Sequence, residues 1–145
     1  MLQKLRERMG RDEGFTLVEL LVVMLILGLL AAIAIPSFFA QRDKARDADA
    51  KANVRTAQTA METYAVDNNG SYAAADAAKL DAIEETIDAA QLTTVDGAAP
   101  AGGYTITGTS PTGSTFTIQR DGSGNVTYPC TVEGEKGCPT GGWGG

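Results

Sequence analysis

The chain has 145 residues, 43% of them hydrophobic and 21% charged, which is enough for one small domain and argues against bulk disorder. Twelve basic residues against eighteen acidic ones leave a net charge of −6, the wrong sign for a surface that neutralises nucleic-acid phosphates. Histidine is absent and there are two cysteines, so the commonest general base and the ligand set of a structural zinc site are both missing.

Residues 1–14 are polar, with Lys4, Arg6, Arg8 and Arg11 outnumbering Glu7, Asp12 and Glu13. From Phe15 to Phe39 the chain is almost wholly apolar, interrupted only by Thr16, Glu19, Pro36 and Ser37. As a helix this stretch extends about 38 Å, enough to cross a hydrocarbon core of about 30 Å. The basic residues ahead of it place the amino end in the cytoplasm and everything after residue 40 outside. Ala32-Ile33-Ala34 has the form of a signal-peptidase site. The apolar run is nevertheless longer than a secretory signal needs, and neither a signal nor a plain anchor has a use for Glu19.

The helical pattern continues from Ala40 to about Val66. Residues 42–49 carry Arg42, Asp43, Lys44, Arg46, Asp47 and Asp49 on all sides, which predicts a shaft that touches no core. Beyond it Ala50, Val54, Ala57, Met61 and Tyr64 form a stripe with helical steps, predicting a face that docks on a core, with Lys51, Arg55 and Glu62 facing elsewhere. Asn68-Asn69-Gly70 stops the helix.

Residues 67–145 read as a small head. A second helix is predicted over Asp76–Ala90, with Leu80, Ile83 and Ile87 on one face. Three short runs, 104–107, 115–119 and 125–128, alternate apolar with polar residues and predict a three-stranded antiparallel sheet. Asp121-Gly122-Ser123-Gly124 is a turn between the last two. Residues 97–103 and 108–114 read as loops, and 141–145 as a mobile tail with no evident purpose for Trp143. The expected fold class is α+β: a long amino-terminal helix packed on a small antiparallel sheet.

Cys130 and Cys138 lie in a Pro- and Gly-rich segment on the outer side, where disulfides persist, and are expected to be bridged. Closing so short a loop contributes about 2–3 kcal/mol by the chain-entropy estimate. The spacing does not fit a C-x-x-C redox motif.

The most informative residues are Gly14-Phe15-Thr16-Leu17-Val18-Glu19, followed by the apolar run with Gly28 and Pro36. Over residues 8 to about 66 the sequence resembles the type IV pilins and the pseudopilins of type II secretion systems. The resemblance implies a leader, residues 1–14, removed after Gly14 by a prepilin peptidase that then methylates the new amino group of Phe15. It implies that residues 15–39 anchor the subunit in the cytoplasmic membrane and later form the filament core. Residues 40–66 are then the amphipathic continuation and 67–145 the head. Identical subunits and an inner-membrane assembly machinery are the implied partners, and attachment, retraction-driven movement, DNA capture or secretion the implied uses.

Glu19 also has a physical case of its own. A carboxylate at the centre of a membrane helix costs on the order of 2.5–3.5 kcal/mol, so such residues usually mark a function. Cleavage after Gly14 puts a new amine at i and this carboxylate at i+4, and a neighbouring chain's amine can meet the same carboxylate. Pairing adds little net stability, but an unpaired carboxylate penalises every wrong offset and so sets register. Gly28 and Pro36 weaken the helix between them, and the resemblance implies that this stretch can lose helical order in a filament. No cofactor, metal, catalytic residue or nucleic-acid partner is expected. The rivals are a pseudopilin and a membrane-anchored binding domain that never polymerises.

Overall fold

The computed structural model of the chain describes residues 14–98, 102–131, 134 and 137–144. The expected leader, up to residue 13, therefore lies outside the described residues. Helix α1, Leu17–Asp67, is 51 residues long and includes Pro36. The chain divides into two compact units, Met1–Phe39 and Ala40–Gly145, and α1 supplies residues to both.

In the first unit α1 is long and apolar enough to cross a membrane, and no part of its most apolar stretch is buried within the chain. Its leucines, isoleucines, valines and phenylalanines are exposed on every side. That area far exceeds the few hundred Å² of contiguous apolar patch usual on a soluble monomer. Pro36 carries no N–H, so the Ala32 carbonyl one turn earlier receives no helical hydrogen bond from it.

In the second unit α1 buries Ala50, Val54, Ala57, Ala60, Met61 and Ala65. The small side chains allow close approach to an antiparallel sheet of four strands in the order β1-β2-β3-β4: β1 Leu92–Asp96, β2 Tyr104–Thr109, β3 Thr115–Arg120 and β4 Val126–Thr127. Alternation sends Tyr104, Ile106, Phe116 and Ile118 into the core and threonines to the opposite face. Gly108 leaves room for α1: a Cβ there would stand 2.4 Å from Cγ2 of Val54. The helix ends where Asn69 and Gly70 take positive φ and the Gly70 N–H donates to the Ala65 carbonyl at 2.7 Å.

The fold class is the expected one, but four details differ. The sheet has four strands, not three. Strand β1 escapes the sequence pattern because its register slips between Leu92 and Thr94, and this bulge breaks the period of two. The second helix, α2, spans only Ala77–Ile83, capped by the Asp76 carboxylate on the Lys79 N–H. Glu84 is extended, and Asp88 opens a separate 3₁₀ turn, Ala89–Gln91. Asn53 of α1 holds Asp88 in place through both its side-chain amide groups. Ile83 is consequently exposed, while Leu80 and Ile87 are buried.

The other two differences concern residues expected to be solvated. Asp47, in the supposed bare shaft, is only 2% exposed and accepts a 2.5 Å hydrogen bond from Thr112. Trp143 is buried rather than mobile. Its ring meets Phe116 and Tyr128 edge-on, and its indole N–H donates to the carbonyls of Thr117 and Pro129.

Candidate processing and assembly segment

Residues 14–16 are non-helical and exposed, so the Gly14–Phe15 peptide lies outside the hydrogen-bonded helix. Gly14 would meet nothing within 4 Å if it carried a Cβ. Phe15 projects its ring into the open, 75% exposed. Thr16 then caps α1: its hydroxyl accepts the Glu19 N–H at 3.2 Å, and its carbonyl accepts the Leu20 N–H. Thr16-x-x-Glu19 is the spacing of a capping box, and a carboxylate in the first turn also faces the positive end of the helix dipole. The cap role of Thr16 was readable from that spacing.

Glu19 is exposed, and no basic residue occurs between Phe15 and Phe39. Gly28 sits on the exposed helix with nothing within 4 Å of a hypothetical Cβ, so no contact inside the chain requires a glycine there. Among the described residues, Gly28 and the surrounding apolar surface are left exposed, and Glu19 sits exposed in the first turn with its N–H on the Thr16 hydroxyl.

In the head, three side chains expected to face away from the core instead bracket it. Glu62 accepts the hydroxyls of Tyr72 and Tyr104, both at 2.8 Å, and Arg120 lies 3.7 Å from the same carboxylate. Gln58 donates to the Tyr104 hydroxyl and Arg120 to that of Tyr72. Burial pushes the Tyr104 phenol well above its ordinary value, and the bond to Glu62 adds to the rise. Tyr72 is raised for the same two reasons, with Arg120 pulling the other way. The second of these side chains, Arg55, stacks 5.1 Å from the Trp143 ring centroid. The third, Lys51, lies 5.0 Å over Phe116 and donates to the Gly137 carbonyl.

Cys130 and Cys138 are joined by a disulfide. The Gly137 carbonyl, one residue before Cys138, is the group that Lys51 of α1 grips. Asp47 lies beneath the same glycine, where a Cβ would approach its carboxylate to 2.9 Å. Asp47, Glu62 and Trp143 are thus structural residues that charge and glycine patterning concealed. Among the described residues no group of three or more histidines, cysteines, aspartates or glutamates is placed to hold a metal ion.

Residues 9–35 match the family description "Prokaryotic N-terminal methylation motif". The amino-terminal segment is therefore that of a protein carrying this motif, and the homologues of the chain are type IV pilins and type II secretion core proteins G. The chain is 43% identical over 54 residues to the type IV major pilin protein PilA of Myxococcus xanthus, covering 37% of this chain and 24% of that one. It is 43% identical over 61 residues to the type IV wide pilus major component PilA4 of Thermus thermophilus, covering 42% and 47%. It is 38% identical over 58 residues to the type II secretion system core protein G of Pseudomonas aeruginosa, covering 40% and 41%. The chain thus spans less than half the length of these curated relatives. No solved structure matches it.

Proposed function

We propose that this chain is the precursor of a type IV pilin, a structural subunit with no catalysis of its own. A prepilin peptidase cleaves after Gly14 and methylates the amino group of Phe15. The mature subunit waits in the cytoplasmic membrane, amino end inward, until the inner-membrane machinery moves it into an extracellular helical homopolymer. The observation that carries this reading is the junction itself: an exposed, non-helical Gly14–Phe15 bond set directly before a capped helix whose only charge up to Phe39 is Glu19.

On this reading lipid covers the apolar half of α1 first, and neighbouring copies of the same helix cover it later. Glu19 meets the Phe15 amine of an adjacent subunit and fixes the axial offset, since any other offset buries an unpaired carboxylate. Gly28 and Pro36 delimit the stretch that gives up helical order as the filament extends. A second reading, a pseudopilin of a type II secretion system, is favoured by the core protein G matches of similar length and identity. The disulfide loop that closes the head supports the pilin reading.

The test is Glu19→Ala. The variant should insert in the membrane at wild-type abundance while sheared filament yield falls at least about tenfold, the equivalent of 1.4 kcal/mol or more in assembly. Wild-type filament yield from Glu19→Ala would remove Glu19 from the mechanism.

A further inference from the structure

The head holds a buried charge without a described counter-charge. Asp47 is buried, and its one described hydrogen bond comes from the Thr112 hydroxyl at 2.5 Å. The hydroxyls of Ser110 and Ser114 each lie 3.1 Å from that of Thr112 and hold it in place. Among the described residues no lysine or arginine forms an ion pair with Asp47. Lys51, one turn further on, is committed to the Gly137 carbonyl and the Phe116 ring. One neutral donor does not compensate a carboxylate taken out of water, where such a group is ordinarily paired with a cation.

Asp47 lines a cavity of about 300 Å³ together with Ala40, Asp43, Lys44 and Thr112. Ala40, Asp43, Lys44 and Asp47 follow one another along α1 at steps of three and four, so helical spacing gathers them on one face. Asp43 is paired with Arg46 at 3.7 Å on the exposed surface, a contact worth little. Lys44 is exposed and has no ion pair among the described residues. The rest of the lining is short or aliphatic: Ala40, Thr112 and the stem of Lys44.

Charge and place narrow the ligand. Two carboxylates would repel a lone anion. Among the described residues no group of three or more histidines, cysteines, aspartates or glutamates is placed for a metal ion. The set suits a zwitterion, with an ammonium for the aspartates joined to an anion for Lys44. Ala40 directly follows Phe39, the end of the apolar run. From Ala40 to Lys44 the helix rises about 6 Å, against about 5–8 Å for the headgroup zone on each side of a hydrocarbon core. With the apolar stretch in a bilayer, these residues meet phospholipid headgroups. An ethanolamine headgroup supplies both charges, and its ammonium donates N–H bonds that the wider trimethylammonium of choline lacks.

We infer that the Asp47 cavity binds a phosphoethanolamine group, its ammonium on Asp47 and Asp43 and its phosphate on Lys44. A phospholipid so held ties the head to the membrane surface. The inference rests on the membrane residence proposed above but not on cleavage at Gly14 or on polymerisation, so lipid selection and filament formation can fail independently.

The experiment embeds the full chain in nanodiscs of phosphatidylethanolamine and phosphatidylcholine in equal parts and counts the lipids it retains by native mass spectrometry. The wild type should retain phosphatidylethanolamine several-fold over phosphatidylcholine. Asp47→Asn, which keeps an acceptor for Thr112, should lose that preference. Lys44→Glu should lower the retention of both lipids, and Glu85→Gln, elsewhere on the head, should behave as the wild type. Should Asp47→Asn fail to fold, as judged by circular dichroism, the exposed Lys44→Glu carries the test. Soluble phosphoethanolamine, added to the chain in a phosphate-free detergent, separates the two sources of the group. Binding there shows that the free group suffices, whereas selection in discs alone shows that a bilayer must present it. Retained lipids that mirror the composition of the disc overturn the inference. So does a folded Asp47→Asn that keeps the preference, and so does a dimer without retained lipid, which assigns Asp47 to a basic side chain of a second copy.

Discussion

Glu19 and Glu62 are two carboxylates on one helix with opposite situations. Glu19 stands in apolar surroundings without a basic residue from Phe15 to Phe39, whereas Glu62 receives two phenol protons and lies beside Arg120. The Glu62 network makes the head sensitive to base. Tyr104 and Tyr72 are both raised above the ordinary tyrosine value, so the folded state holds their protons more tightly than the unfolded chain does. That contribution is complete below about pH 10 and is lost as pH rises toward the folded-state values. The melting temperature of the head, read from the single tryptophan, should fall steeply above about pH 10. Tyr104→Phe should flatten that alkaline limb while lowering stability at neutral pH by about 1–2 kcal/mol, because Glu62 loses a donor. An unchanged alkaline limb in Tyr104→Phe would contradict the assignment.

At the scale of elements, how much could be read from the sequence depended on whether a periodic signal survived. The α1 seam was legible because its apolar steps follow the 3.6 period, and Ala60 and Ala65 extend it. β2 and β3 alternate cleanly and were legible too, but the bulge in β1 reversed its phase and hid the strand. The second helix was read as too long because Glu84 and Asp88 look like ordinary helical surface residues. Only tertiary bonds to Asn53 show that the chain turns there. Asp47 looked solvated because its neighbours in sequence are charged, and its partner Thr112 is remote in the chain. The glycines around Trp143 suggested mobility, whereas they permit contact: a Cβ on Gly144 would lie 2.0 Å from the Tyr128 ring. The carboxyl-terminal segment is thus part of the core, and Trp143→Ala should cost about 3–5 kcal/mol in urea unfolding followed by circular dichroism. A loss below about 1 kcal/mol would show that the tail only rests on the surface.

For the whole molecule, each unit poses a different solvent problem. The head satisfies its own core: a four-stranded sheet, the α1 seam, the disulfide loop and Trp143 leave few large apolar side chains exposed, Val66 and Ile83 among them. The first unit satisfies almost nothing, and its apolar surface must be covered from outside the chain. Lipid and sister helices can both do so. On the proposed reading, a subunit that passes from one to the other needs a free, correctly cut amino end, because the Phe15 amine is then the group that meets Glu19. The central claim is therefore tested most directly by mass spectrometry of the amino terminus of filaments sheared from cells. The account predicts a chain beginning at Phe15 with one methyl group on its amine and no residue of the leader. Filaments built from chains that still begin at Met1, or the complete absence of this chain from filaments, would contradict it.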